Sequence, residues 1–177
     1  MNDNPLIQSL KKLCLFLDEQ EIEYMLVGGL AVGIWGEPRA TIDIDFLVSI
    51  KTEDFNLLKQ KIKMSKKFIF IHDEPMIFGK ISFLRATLKS NKDISVDFLF
   101  ADNNFKHEAL KRKEPVQIAD FSVNISTPED LIILKLLSSR QQDRLDAKKV
   151  LEIQKEHLDR EYMQKWAEKL GIDMKTF

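Results

Sequence analysis

The chain has 177 residues, with 27 lysines and arginines against 28 aspartates and glutamates, for a formal net charge of -1. Hydrophobic residues make up 44% of it, which suffices for a packed core and excludes an intrinsically disordered chain. The charge balance excludes a nucleic-acid-binding protein that relies on a global basic excess, although a local basic patch stays open.

The single cysteine excludes an internal disulfide and favours a reducing compartment. The polar N-terminus lacks a signal-peptide core, and no apolar run approaches the ~20 residues that a membrane span needs. We therefore expect a soluble, cytoplasmic protein.

The first elements alternate between helix and strand. Asn4 and Pro5 predict a helix start, because asparagine is a favoured cap and proline a favoured first helical residue. Apolar residues at helical spacing extend this helix to about residue 20. The apolar run Tyr24–Val27 ends at Gly28 and Gly29, which predicts a buried strand entering a tight turn.

Residues 30–35 suit a short helix, and residues 42–50 alternate with a period of two, which predicts a second strand. A helix capped by Thr52 is predicted over residues 52–65. Further strands are predicted at residues 68–71, 81–88 and 94–100, with residues 72–79 as a loop.

The pattern becomes largely helical in the last part of the chain. Residues 105–113 predict a helix, and residues 116–118 and 122–125 predict paired strands. Thr127 and Pro128 predict the start of a helical region that continues to the C-terminus, with breaks near residues 138–142, 156–159 and 171. We therefore predict an α/β (α+β) fold, with a core at residues 1–126 and a C-terminal helical region at residues 127–177 packed on it.

The main chemical feature is a pair of acids on the second predicted strand. Asp43 and Asp45 are two residues apart, so both carboxylates leave the same face. Like charges at such a spacing repel, and one pKa must rise unless a cation lies between them. Asp97, in the predicted strand 94–100, would complete a three-carboxylate site. Three acids suit two-metal nucleotidyl transfer, in which one metal activates the acceptor oxygen and the other clamps the phosphates.

Simpler interpretations exist for each signal alone. The D-x-D pair could belong to a solvated strand face, and the glycine pair could merely start a helix. The functional interpretation is that the backbone N–H groups of Gly28 and Gly29 bind a triphosphate at the N-terminus of the following helix. The order and spacing of the three signals favour the functional interpretation.

The sequences LVGGLA (residues 26–31) and RATIDIDFLV (residues 39–48) resemble the signature of the nucleotidyltransferase superfamily, which has a DNA polymerase β-like fold. The form of the motif is similar to bacterial nucleotidyltransferases of the abortive-infection and toxin–antitoxin type, and also to lincosamide and aminoglycoside nucleotidyltransferases. This resemblance implies a mixed-sheet nucleotidyltransferase core with Mg²⁺ (or Mn²⁺) as cofactor. It makes Asp43, Asp45 and Asp97 the catalytic metal ligands, with Asp97 also the base, and assigns Gly28 and Gly29 to the triphosphate.

The same resemblance adds three nucleotide-binding residues, Arg39, Thr41 and Lys135. Arg39 either contacts phosphate or pairs with one of the two strand acids. Lys135 lies in an otherwise apolar helical segment and must snorkel, pair or bind an anion. Two contacts are open for Lys135: a structural one with Asp146 and a functional one with the NTP phosphates. Arg85 could likewise reach the site or lie on the exposed surface.

The expected activity is transfer of NMP from an NTP, such as ATP, to an acceptor. The toxin-like motif favours tRNA or a protein as acceptor and a cognate antitoxin as partner. The alternatives are a small-molecule, antibiotic-type nucleotidyltransferase and a catalytically inactive nucleotide-binding or regulatory module. Three clustered acids favour an active enzyme, because an inactive copy has no physical need for them.

Overall fold

In the computed structural model, which describes residues 4–138 and 140–174, a mixed sheet of eight strands carries seven α-helices. The strands are β1 (Tyr24–Val27), β2 (Asp43–Val48), β3 (Phe68–Phe70), β4 (Met76–Phe78), β5 (Ile81–Leu88), β6 (Asn91–Phe100), β7 (Glu114–Ile118) and β8 (Phe121–Ile125). The helices are α1 (Pro5–Glu19), α2 (Gly28–Trp35), α3 (Phe55–Ser65), α4 (Asn104–Arg112), α5 (Pro128–Leu137), α6 (Gln141–Gln154) and α7 (Arg160–Leu170).

The strand order is β3-β5-β6-β2-β1-β8-β7, and β4 pairs with the same edge of β5 that β3 occupies. Strand β2 lies between β1, which runs antiparallel to it, and β6, which runs parallel to it. The predicted mixed α/β architecture is confirmed, and the D-x-D strand lies in the middle of the sheet.

One face of the sheet is held by a chain of aromatic contacts. The ring centroids of Phe16 and Phe68 lie 4.9 Å apart, those of Phe68 and Phe98 6.2 Å, and those of Phe98 and Phe46 6.5 Å. Phe16, Phe46 and Phe98 are fully buried, and each such burial contributes about 1.5–3 kcal/mol. Because β2 and β6 bury their aromatic side chains on this face, their acidic residues lie on the opposite face.

The two helix starts predicted at Asn4 and at Thr127 are confirmed. The Asn4 side chain accepts a hydrogen bond from the Leu6 backbone N–H at 2.9 Å, and Thr127 accepts one from the Asp130 backbone N–H at 3.3 Å. Helix α5, which Thr127 caps, packs against α2, α6 and α7. The division between residues 126 and 127 stays a prediction. Within the described ranges, every helix is too short or too polar to cross a membrane.

Two local predictions are wrong. Thr52 does not cap α3, which begins at Phe55 after a 3₁₀ turn; its hydroxyl instead bonds Ser82 Oγ at 2.6 Å and Asp102 Oδ2 at 3.1 Å. The predicted loop at residues 72–79 contains strand β4. This strand has only three residues and a mostly exposed side-chain pattern, so it lacks the alternation that identifies longer strands.

Candidate active site

A row of four residues crosses the centre of the sheet. Val27 pairs with Asp45, Asp45 with Asp97, and Asp97 with Arg85, in register across β1, β2, β6 and β5. Neighbouring strands lie about 4.8 Å apart, so the carboxylates of Asp45 and Asp97 are close neighbours. Asp43 lies on the same face of β2. The structure therefore brings the three sequence-predicted acids together.

The two central acids are electrostatically destabilised. Burial raises the pKa of Asp45 to about 7, and the charges of Asp97 and Asp43 add to this effect, while Lys135 opposes it. Burial also raises the pKa of Asp97, which is only 5% exposed, against the opposing effect of Arg85. Both carboxylates therefore lie where an added cation would be stabilising.

The glycine pair holds Asp45 in place. Gly28 has a φ of +66°, and a Cβ atom at this position would lie 1.8 Å from Asp45 Oδ2, so only glycine fits here. The backbone N–H of Gly29 donates a hydrogen bond to the Asp45 carboxylate. A Cβ on Gly29 would lie 3.1 Å from Thr41 Oγ1. The glycines thus contact the site acid directly, and their contact with a triphosphate stays a prediction.

Arg39 lies beside the site, but it pairs with neither of the strand acids. Its Nη2 lies 3.0 Å from Asp146 Oδ2 and its Nε 3.1 Å from Asp146 Oδ1. The suggested pairing with Asp43 or Asp45 is therefore wrong. The Thr41 hydroxyl contacts the backbone of Asp43, accepting from its N–H at 3.3 Å. The nucleotide-binding roles of Arg39 and Thr41 stay predictions.

Lys135 is 5% exposed and forms two ion pairs with α6. Its Nζ lies 2.6 Å from Asp143 Oδ1 and 3.0 Å from Asp146 Oδ2. Arg140 donates from Nε to the other oxygen of Asp143 at 2.6 Å. Burial would raise the pKa of Asp143, but Lys135 and Arg140 outweigh it and lower that pKa. The structural contact between Lys135 and Asp146 is thus present, with Asp143 as a second partner. The contact of Lys135 with phosphates stays a prediction.

Arg85 is the site residue whose position the sequence left open. Its Nε donates to Asp97 Oδ1 at 2.7 Å and its Nη2 to Asp97 Oδ2 at 2.6 Å. The only sequence signal was that Arg85 and Asp97 lie on consecutive predicted strands. A register shift between Thr87 and Leu88 prevents their pairing from being found by counting back from the turn.

A small cavity of about 50 Å³ opens beside the acids. Its charged part is formed by Asp45, Asp97, Lys135, Arg140 and Asp143. Its apolar part is formed by Phe78, Ile81, Phe83 and Leu99 from the sheet and by Leu131 and Leu134 from α5. The lining of the cavity is therefore charged at one end and apolar at the other.

The acids fit a hard divalent cation in part. Among the side chains described for residues 4–138 and 140–174, no three acids, histidines or cysteines are already arranged around a metal position. Both oxygens of Asp97 accept hydrogen bonds from Arg85. Asp43 and Asp45 supply carboxylate oxygens, the ligands that Mg²⁺ and Mn²⁺ prefer, and a cation would offset the burial and the repulsion that raise the pKa of Asp45.

Three solved structures share the fold at low identity, which shows the fold alone. ANT(2'')-Ia in complex with adenylyl-2''-tobramycin has a TM-score of 0.58 and 14% identity, over 95% of this chain and 98% of that one. Lincomycin-bound LnuA, a lincosamide antibiotic adenylyltransferase, has a TM-score of 0.54 and 13% identity, over 82% of this chain and 96% of that one. An antigenic nucleotidyltransferase-like protein from Paracoccidioides brasiliensis has a TM-score of 0.56 and 16% identity, over 95% of this chain and 88% of that one.

No curated protein matches the sequence. Residues 13–149 match the model of a family described as the nucleotidyl transferase AbiEii toxin of type IV toxin–antitoxin systems. This match spans most of the 177 residues. The chain therefore belongs to the AbiEii nucleotidyltransferase toxin family, and it is a nucleotidyltransferase with a DNA polymerase β-like fold.

Proposed function

We propose that the protein transfers a nucleoside monophosphate from an NTP to a macromolecular acceptor, with Mg²⁺ or Mn²⁺ as cofactor. The observation that carries the proposal is the register that sets Asp45 beside Asp97, with Asp43 on the same face of β2. Membership of the AbiEii family supports the reaction class.

Each acid has a distinct role in this proposal. Asp43 and Asp45 would hold the metal ion, and Asp97 would join them when its carboxylate is free of Arg85. The bound ion would neutralise charge on the phosphates. Asp97 Oδ would accept the proton of the acceptor hydroxyl as the hydroxyl oxygen attacks the α-phosphorus, the α–β phosphoanhydride bond breaks and pyrophosphate leaves. The burial that raises the pKa of Asp97 favours this role, because a weaker acid is a stronger base.

The nucleotide would lie across the N-terminus of α2 and the cationic side chains next to it. Gly28 and Gly29 would present backbone N–H groups at a helix N-terminus, which favours phosphate binding. Arg39 and Lys135 both pair with Asp146, with Thr41 beside Gly29. A bound triphosphate would compete with the Asp146 carboxylate for Arg39 and Lys135, so both cations are placed to bind phosphate.

The acceptor is proposed to be the end of an RNA, as in tRNA, or a protein. The toxin family supports a macromolecular acceptor and a cognate antitoxin as partner. The five lysines of α3 and the turn after it, of which Lys63, Lys66 and Lys67 are exposed, supply a local basic surface for RNA. The net charge of -1 weakens the tRNA version relative to the protein version.

A small-molecule acceptor is the second candidate. The structures of LnuA and ANT(2'')-Ia were solved with lincomycin and with adenylyl-2''-tobramycin. The apolar part of the cavity, beside Asp97, favours a compact acceptor of this kind. An inactive module is disfavoured, because Asp45, with its raised pKa, lowers the stability of the fold at neutral pH and has no structural role that asparagine would not fill.

The test is transfer of label from each of the four α-labelled NTPs, with Mg²⁺ or Mn²⁺. The reactions contain the protein alone, bulk tRNA, or a panel that includes lincomycin and tobramycin. We expect metal-dependent labelling of tRNA or protein that is lost in Asp43→Ala. Asp93→Ala, which removes an exposed carboxylate near the start of β6, should transfer as the parent does. Undiminished transfer by Asp43→Ala would show that the metal assignment is wrong.

A further inference from the structure

The guanidinium of Arg85 lies inside the group of acids. It contacts both oxygens of Asp97, at 2.7 and 2.6 Å, in the parallel two-bond geometry that makes arginine–carboxylate pairs strong. The Arg85 side chain is 25% exposed and the Asp97 side chain 7%. The charges of Asp43 and Asp45 also act on Arg85, after the larger effect of Asp97. Arg85 is thus a cation in direct contact with this acidic face, and it offsets part of the negative charge there.

This position conflicts with the proposed role of Asp97. Each Asp97 oxygen keeps a lone pair beyond its bond to Arg85, but a divalent cation bound there would lie close to the guanidinium, and the two positive charges would repel each other. Arginine does not lose its charge at accessible pH, so the conflict cannot be resolved by deprotonation. Separation of the pair therefore favours metal binding by Asp97.

We propose that Arg85 is a positioning residue, a built-in counter-cation that occupies Asp97, competes with the metal ion for its carboxylate, and moves away from it when the metal site is completed. This inference rests on the proposed function, because it concerns the same three acids. The Arg85–Asp97 pair holds the site closed to metal until an ion competes for the carboxylate.

The surroundings of Arg85 provide a second position for its side chain. The guanidinium carbon already lies 5.6 Å from the centroid of the Phe83 ring, within the range of a cation–π contact. Phe83 lines the cavity next to Asp97. A rotation away from Asp97 therefore keeps the guanidinium against an aromatic face, where an anionic substrate in the cavity could accept its hydrogen bonds.

The consequence is a lowered metal affinity. When only a fraction of the molecules has the competent arrangement, the apparent Kd rises by the reciprocal of that fraction. Removing the guanidinium removes this competition, so Arg85→Gln should bind metal more tightly than the parent. If the ion pair were purely structural, Arg85→Gln would bind metal as tightly as the parent or more weakly, since loss of Arg85 would then only disorder Asp97.

The experiment measures Mn²⁺ binding to the whole protein by calorimetry, without nucleotide or acceptor. We expect Arg85→Gln to bind Mn²⁺ at least tenfold more tightly than the parent, and Asp97→Asn in the same background to abolish that gain. Arg144→Gln, which removes the same charge from an exposed position on α6, should leave the Kd unchanged. Equal or weaker binding by Arg85→Gln would overturn the proposal.

Thermal unfolding gives a second reading that is independent of activity. Without metal, Arg85→Gln should melt below the parent, because it leaves a buried carboxylate unpaired, and Mn²⁺ should raise its Tm more than that of the parent. If Arg85→Gln fails to fold, Arg85→Lys replaces it, since a lysine keeps the charge but not the two-bond geometry. An intermediate gain in Mn²⁺ affinity is then expected, and no gain would overturn the proposal.

Failure of this inference differs from failure of the proposed function. Mn²⁺ binding that is lost in Asp43→Ala but unchanged in Arg85→Gln would contradict only the role of Arg85. Absence of Mn²⁺ binding in the parent and in Arg85→Gln alike would contradict both. Binding by Arg85→Gln alone would support the inference strongly.

Discussion

Asp45→Asn should stabilise the fold at alkaline pH and leave it nearly unchanged at acidic pH. The pKa of Asp45 rises from 3.8 to about 7 on folding. The folded protein therefore favours the protonated carboxyl, whereas the unfolded chain ionises near its ordinary pKa. Below that ordinary pKa there is no penalty. As pH rises through the window between the two pKa values, the folded state loses stability, and above pH 7 the whole penalty is present.

The shift of about three pKa units corresponds to at most about 4 kcal/mol at full effect. Asp45 is partly exposed, so solvent screening reduces this to roughly 1–3 kcal/mol. Asparagine keeps the shape of the side chain and removes its charge. We therefore expect Asp45→Asn to exceed the parent by that amount in free energy of unfolding at pH 8, and by almost nothing at pH 4.

The assay is urea denaturation of parent and variant at pH 4, 6 and 8, with a chelator present. Asp93→Asn, at an exposed position, should change the free energy of unfolding by no more than about 0.5 kcal/mol at every pH. Mg²⁺ at pH 8 should stabilise the parent more than Asp45→Asn. The reasoning is refuted if Asp45→Asn is no more stable than the parent at pH 8, or if its gain is the same at all three pH values.

Three further changes test the surroundings of the acids. Gly28→Ala should abolish transfer and lower the Tm, because its Cβ would overlap Asp45 Oδ2; a fully active Gly28→Ala would contradict the close contact. Lys135→Met should lower the free energy of unfolding by about 1–3 kcal/mol in urea titrations, since two buried carboxylates lose one cationic partner each while Arg140 and Arg39 still pair with them. Phe78→Ala should lower kcat/KM for transfer several-fold with little loss of stability, whereas Ile77→Ala, at a 69% exposed neighbour outside the cavity, should not. Equal kinetics for the two variants would exclude the apolar wall from substrate binding.

The features that depend on local rules could be predicted from the sequence. The period of two placed Asp43 and Asp45 on one face of β2, and the cap and proline at Thr127 and Pro128 placed the start of α5. Asp97 is expected near the other two acids because its predicted strand is placed beside the strand of Asp43 and Asp45. The parallel pairing of β2 and β6 confirms that position.

The features that depend on pairing between distant segments could not be predicted. The contact of Arg85 with Asp97 depends on a register shift next to the turn between β5 and β6. Arg39 could have met either strand acid, and its partner became clear only when α6 brought Asp146 within 3.0 Å. In both cases the sequence left the role of the arginine open, and the tertiary structure decided its partner.

The ends of the sheet also determine how the protein behaves at high concentration. One outer edge of β5 is divided between β3 and β4, each of three residues, and the opposite edge is β7, which contains Pro115. Short edge strands and an edge proline offer few free backbone groups in sequence, so a second molecule finds no continuous template for strand addition. Exposed Ile69 and Ile77 therefore lie on strands of three residues, which are too short to offer a long edge for strand addition.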